Sequence, residues 1–87
     1  MIVHTHRNFD KKYAKLPKKL QEKFKERRNL FMANPFDSIL DNHSLHEPYA
    51  GCRSINITGD YRAVFFHEQE DVVRFIAIGT HHELFGT

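Results

Sequence analysis

Of 87 residues, one is cysteine (Cys52), none is tryptophan, four are glycine and three are proline. A lone cysteine excludes an intrachain disulfide and a four-cysteine zinc site. No run of about 18 apolar residues is present, so no segment reads as a membrane-spanning helix. The first twelve residues, MIVHTHRNFDKK, lack the apolar stretch of a signal peptide. These absences point to a cytoplasmic protein with no disulfide staples and no membrane partner. His4 and His6 share a strand face, but two ligands are too few for a metal site, and neither metal nor small-molecule cofactor is expected. With no Gly- or Pro-rich linker, repeat or low-complexity segment, residues 1–87 read as one domain.

Eight Phe and three Tyr take the place of the missing tryptophan and are enough for a modest core at this length. Charge is unevenly spread. Residues 7–28 hold ten Lys and Arg against three acids, a net +7, whereas residues 29–87 carry −5. Such an excess attracts phosphates or an acidic protein segment; a solvated helix face is the plainer reading.

The pattern predicts a strand over 2–6 and a helix over 8–16, with Phe9, Tyr13 and Leu16 in a stripe and Asn8 as its cap. Pro17 breaks the chain and opens a second, amphipathic helix over 17–33 carrying Leu20, Phe24 and Phe31, which Asn34-Pro35 ends. Residues 36–51 read as irregular. Strands follow over 52–57, 61–67 and 72–78, joined at Gly59-Asp60 and at Glu68-Gln69-Glu70-Asp71, and the tail has room for one helical turn. Phe9, Leu20, Phe24, Phe31, Val64, Phe66, Val73 and Phe75 are the expected core. The fold class is α+β: an antiparallel sheet of about four strands with the helical hairpin packed on it, in the order β-α-α-β-β-β.

Three motifs carry a resemblance that spans the chain: Asn42-His43-Ser44-Leu45 ahead of Gly51-Cys52-Arg53; Gly59-Asp60-Tyr61-Arg62-Ala63-Val64-Phe65; and Ile78-Gly79-Thr80-His81-His82-Glu83-Leu84-Phe85-Gly86. In this order and spacing they resemble the RelE/ParE superfamily of type II toxin–antitoxin systems, and the last is most similar to its YafQ-like branch. The resemblance implies a RelE-like fold and a ribosome-dependent endonuclease that cuts messenger RNA and inhibits translation. It also implies a cognate antitoxin, the ribosome and messenger RNA as partners.

Metal-independent RNA cleavage uses the ribose 2′-hydroxyl as nucleophile. It needs a group to take the 2′ proton, a group to protonate the leaving 5′ oxygen, and charge to steady the phosphorane-like transition state. By resemblance, His81 is the general acid, His43 the base, Asp60 an orienting carboxylate and Arg62 the phosphate clamp, while Tyr61 and Phe85 stack bases. Arg53 and the basic residues Lys18, Lys19 and Lys23 are further RNA-binding candidates. Two positions depart from the YafQ-like pattern, with Asn56 where a histidine is expected and Ala77 where an arginine is expected. The alternatives are a ParE-like gyrase inhibitor, a degenerate toxin that only binds its antitoxin, and a basic nucleic-acid-binding module without catalysis.

Overall fold

The computed structural model describes residues 1–86, and Thr87, the last residue of the expected domain, lies outside them. Strand β1 (Ile2–Thr5) leads into helix α1 (Arg7–Ala14) and helix α2 (Lys18–Ala33). A 3₁₀ turn at Ser38–Leu40 precedes strands β2 (His43–Ser44), β3 (Arg53–Asn56), β4 (Tyr61–Gln69) and β5 (Val72–Thr80), and helix α3 (His81–Phe85) closes the chain.

The class is the expected α+β, but the sheet has five strands in the order β1-β5-β4-β3-β2. Two features were not expected. Strand β1 pairs parallel to β5, with Ile2 opposite Val72 and Thr5 opposite Phe75. A two-residue strand, β2, extends the far edge antiparallel to β3. Parallel pairing needs a long return connection, and the helical hairpin supplies part of one. So short a β2 leaves no periodic signature. The central pairs β3–β4 and β4–β5 are antiparallel.

Local chemistry fixes the hairpin. His6 caps α1, not Asn8: its Nδ1 accepts from the Asn8 backbone N–H at 3.0 Å, so Asn8 lies inside the helix. Pro17 stands at the N-cap of α2. Tyr13 Oη donates to the Gln21 carbonyl at 3.0 Å, and Gln21 Nε2 returns a bond to the Tyr13 carbonyl at 3.0 Å. That reciprocal clasp sets the angle between the helices.

The hairpin packs on one face of the sheet. Phe9, Phe24, Phe31, Phe65 and Phe75 interlock there, with Phe31–Phe65 centroids at 4.8 Å and Phe24–Phe75 at 5.4 Å, both edge to face as ring quadrupoles prefer. Ile55, Ile57, Ala63, Val73 and Ile78 complete this core. Phe65 is fully buried while Phe66, expected in the core, is only partly so. A β-bulge at Val64/Phe65 resets the alternation along β4, and an almost wholly apolar strand gives no pattern to reveal that.

Candidate functional site

Because side chains alternate along a strand, the residues between the core positions project to the opposite face of the sheet, where Ser54, Val64 and Gly79 are also buried. The register aligns Asn56, Arg62 and Gly79 in one row and Ser54, Val64 and Ala77 in the next, with His43 opposite Ser54 at the edge. Two polar atoms in these rows, Ser54 Oγ and Asn56 Oδ1, are buried without a hydrogen-bond partner among the described residues.

Helix α3 folds back toward this face. Thr80 Oγ1 accepts from the Glu83 backbone N–H at 3.1 Å, and Glu83 Oε1 accepts from the Thr80 N–H at 2.8 Å, a complete capping box. A Cβ at Gly79 would meet Glu83 Oε1 at 3.1 Å and Leu84 at 3.6 Å, so glycine is what lets the helix lie this close. Gly86, at φ 72°, ends the helix in the left-handed conformation. Lys12 of α1 bonds Glu83 at 3.0 Å. The Thr80 N–H and then the Lys12 ammonium hold the Glu83 carboxyl below the usual glutamate range. Much of the C-terminal motif is therefore scaffold, which displays His81, the first residue of the helix, and Phe85 one turn on.

Between α3 and the stretch that begins at β2 lies an open cleft of about 290 Å³, lined by His43, Ser44, Leu45, His46, Glu47, His81 and Phe85. His43 Nδ1 lies 2.7 Å from the Asp41 carbonyl. A carbonyl only accepts, so Nδ1 carries the proton and Nε2 presents a lone pair. The Asp41 carboxylate sits 3.8 Å from the same nitrogen. His81 is anchored through its backbone, whose N–H donates to the Asp60 carbonyl at 3.0 Å, and its ring meets Phe85 at 4.9 Å. Tyr49 is the other ring contact of Phe85, at 5.9 Å, edge to face.

The structure thus brings His43, His81 and Phe85 together and disperses the other candidates. Asp60 is exposed in a turn and touches His81 by its carbonyl, while Asp41 is the carboxylate beside His43. Arg62 is on the face opposite the hairpin but outside the cleft lining, its Nη1 donating to the carbonyls of Thr58, Gly59 and Tyr61. Tyr61 packs against the helix-side core. Arg53 bonds Asn42 Oδ1 at 2.7 Å and lies over the Phe36 ring at 5.5 Å. Lys18, Lys19 and Lys23 belong to α2, on the covered side of the sheet, where Lys23 pairs with Glu26. Cys52 is half-buried with its thiol pushed up by burial, against a nucleophilic role. His6 is engaged as a cap and His4 Nδ1 lies 3.2 Å from Arg74, so neither is set up as a metal pair.

Asp41, His46, Glu47 and Tyr49 escaped the sequence reading because they lie in the irregular 36–51 stretch, where no periodicity assigns a direction to a side chain. The dense polar run Asp41-Asn42-His43 was the one available signal.

Three comparisons bear on this arrangement. The family described as "Bacterial toxin of type II toxin-antitoxin system, YafQ" matches residues 1–86. Among solved structures, the chain is similar to YafQ from E. coli strain BL21(DE3) at 25 % identity and TM-score 0.78, over 97 % of each chain. It is similar to a chain of the E. coli DinJ–YafQ complex at 25 % identity and TM-score 0.75, again over 97 % of each. It shares its fold with a YoeB/ParE toxin from Agrobacterium tumefaciens, at 19 % identity and TM-score 0.76, over 93 % of this chain and 99 % of that one. A search of curated protein sequences gives no match.

Proposed function

The chain belongs to the YafQ family of bacterial type II toxin–antitoxin toxins, and from that premise we propose that it cleaves messenger RNA on the ribosome by the His43–His81 pair, and that a cognate antitoxin from a cytoplasmic complex restrains it. The observation that carries the reading is the convergence of two histidines on one open cleft, one of them with its tautomer set for a base.

In this reading His43 Nε2 takes the proton from the ribose 2′-hydroxyl. The 2′ oxygen forms a bond to the adjacent phosphorus as the bond to the 5′ oxygen breaks, and His81 delivers a proton to that leaving oxygen. The products are a 2′,3′-cyclic phosphate and a 5′-hydroxyl. The Asp41 carboxylate steadies the imidazolium formed at His43. Phe85 and Tyr49 offer faces on which a base stacks, and the ribosome supplies the substrate's alignment. Arg62 lies outside the cleft lining, and its donors beyond the Nη1 bonds to the 58–61 turn are the candidates to meet a neighbouring phosphate of the same strand.

Asn56 and Ala77 favour a second reading, a toxin that binds its antitoxin without cutting RNA. Asn56 Oδ1 is buried with no hydrogen-bond partner among the described residues, and Ala77 brings no charge to the same face of the sheet. Induction in cells with mapping of messenger-RNA 5′ ends separates the two. New ends that appear only on translated messages, and disappear with His43→Ala or His81→Ala, are expected. Growth arrest without new ends would leave the binding-only or gyrase-type reading.

A further inference from the structure

We propose that Lys12 is a positioning residue for the general acid: from α1 it holds the carboxylate that shapes α3, and so fixes where the His81 imidazole stands in the cleft; this rests on the RNA-cleaving reading above. Helix α3 has five residues, and none of them is buried. A single turn does not stand alone, because nucleating a helix costs more than its few bonds return. Its seat therefore depends on contacts made from outside it. His81 is its first residue, so any shift of that turn moves the imidazole.

The Glu83 carboxylate divides its oxygens between two tasks. Oε1 accepts from the Thr80 N–H at 2.8 Å and closes the capping box, while Oε2 accepts from Lys12 Nζ at 3.0 Å. The Thr80 N–H and then Lys12 hold this carboxyl below the usual glutamate range, so it is ionised when the two bonds are made. Lys12 orients the carboxylate from an element that is itself fixed, since Phe9 of α1 is buried in the aromatic layer. Two further ties hold the turn: the His81 N–H on the Asp60 carbonyl and the Phe85 ring on Tyr49. The Lys12 tie is the one that can be cut without altering the cleft wall or the β3–β4 turn.

Stability and rate should respond differently to that cut. The Lys12 and Glu83 side chains are 41 % and 45 % exposed, and ion pairs this exposed add little to stability. A reacting group displaced by about 1 Å, in contrast, can slow a reaction by up to about 10²-fold. Lys11 is the natural comparator. It is the exposed neighbour of Lys12 on the same helix, carries the same charge and forms no ion pair among the described residues. Removing it takes one charge from the basic hairpin and leaves Glu83 alone.

The test is single-turnover cleavage at saturating programmed ribosome, on a normal message and on one whose scissile 5′ oxygen is replaced by sulfur. A thiolate leaves without being protonated, so a defect that acts through the acid is relieved on the sulfur message. Lys12→Met should slow the normal message about tenfold, with an unchanged melting temperature, and lose most of that defect on the sulfur message. Lys12→Arg should restore the rate, and Lys11→Met should match the wild type. Glu83→Gln keeps an acceptor for the Thr80 N–H and gives up the Lys12 charge pair. It should be as slow as Lys12→Met, and the double variant no slower than either. A Lys12→Met protein that cleaves at the wild-type rate overturns the proposal. So does a defect confined to the half-saturating ribosome concentration, one that persists on the sulfur message, or single defects that multiply in the double variant. A wild-type protein that cuts no message, or a His81→Ala protein as fast as wild type, overturns the RNA-cleaving reading and this proposal with it.

Discussion

The two faces of the sheet are built on different rules. The covered face holds five interlocking phenylalanines under a helical hairpin, and nearly every residue in it is apolar. The opposite face carries Asn56, Arg62 and Ser54, with His43 at its edge and two buried polar atoms that have no hydrogen-bond partner among the described residues. Stability is concentrated in the aromatic layer and the proposed chemistry lies on the other side, and the strands and the Lys12–Glu83 ion pair connect the two. A protein of this size has little core to spare, so unsatisfied or charged groups are tolerable where they do not interrupt the aromatic layer. Substitutions on opposite faces should therefore separate activity from stability.

The largest effect is expected at His81. His81→Ala should slow cleavage about 10²- to 10⁴-fold, the range of a positioned general acid, with little change in melting temperature because the residue is exposed and outside the core. His81→Gln, which keeps a hydrogen bond but cannot deliver the proton, should be nearly as slow. Cleavage near the wild-type rate in both would move the chemistry off this face. Phe75→Ala is the counterpart across the sheet. Phe75 is fully buried and touches Phe9, Phe24, Phe31 and Phe65, so its loss should cost about 3–5 kcal/mol in urea denaturation. A drop below about 1 kcal/mol would mean that the aromatic layer is not what holds the fold.

A third substitution probes whether the basic hairpin acts at a distance from the cleft. Charge reversal at Lys18, Lys19 and Lys23 together should lower ribosome association several-fold and flatten its salt dependence, since lysines on a helix neutralise phosphates without reading bases. The cleavage rate at saturating ribosome should stay unchanged, because these residues sit on α2 and the cleft is formed elsewhere. Equal binding in co-sedimentation would return them to a solvated helix face.

The smallest effect concerns the scaffold of the cleft. Glu83 is held below the ordinary glutamate range by the Thr80 N–H and by Lys12. A lowered folded-state value means that its contribution to stability is present above the usual glutamate range and is lost as the pH falls through the lowered value. The side chain is exposed, so solvent screening keeps the contribution well under about 1 kcal/mol. Glu83→Gln should remove that acid-side component from melting temperature against pH. An unchanged profile would show that the capping box does not depend on the charge.

How much was legible in the sequence follows the same division. Phe9, Phe24, Phe31, Val73 and Phe75 announced the covered face through helical stripes and β-prone runs, and the Pro17 break gave the hairpin. The choice between Phe65 and Phe66 failed because a bulge interrupts a strand that is apolar on both faces. The parallel seat of β1 was invisible, since pairing partners are set by tertiary packing and Ile2–Thr5 reads the same beside any neighbour. Resemblance pointed to His43, His81 and Phe85, and they do share a cleft. It pointed also to Asp60 and Tyr61, whose side chains lie elsewhere. The missing partners, Asp41 and Tyr49, come from a loop where neither period 2 nor period 3.6 applies and only the hydrogen-bonded turns fix direction.

The central claim, that the two imidazoles of the cleft cut RNA through its own 2′-hydroxyl, is tested most directly by substrate chemistry. A programmed ribosome is presented with a message bearing a single 2′-deoxy nucleotide 5′ to the scissile phosphate, beside the all-ribose message. The account requires cleavage of the ribose message to leave a 2′,3′-cyclic phosphate and a 5′-hydroxyl, and cleavage at the deoxy position to disappear. Cutting of the deoxy message at the same place, or a 5′-phosphate on the product, would contradict it.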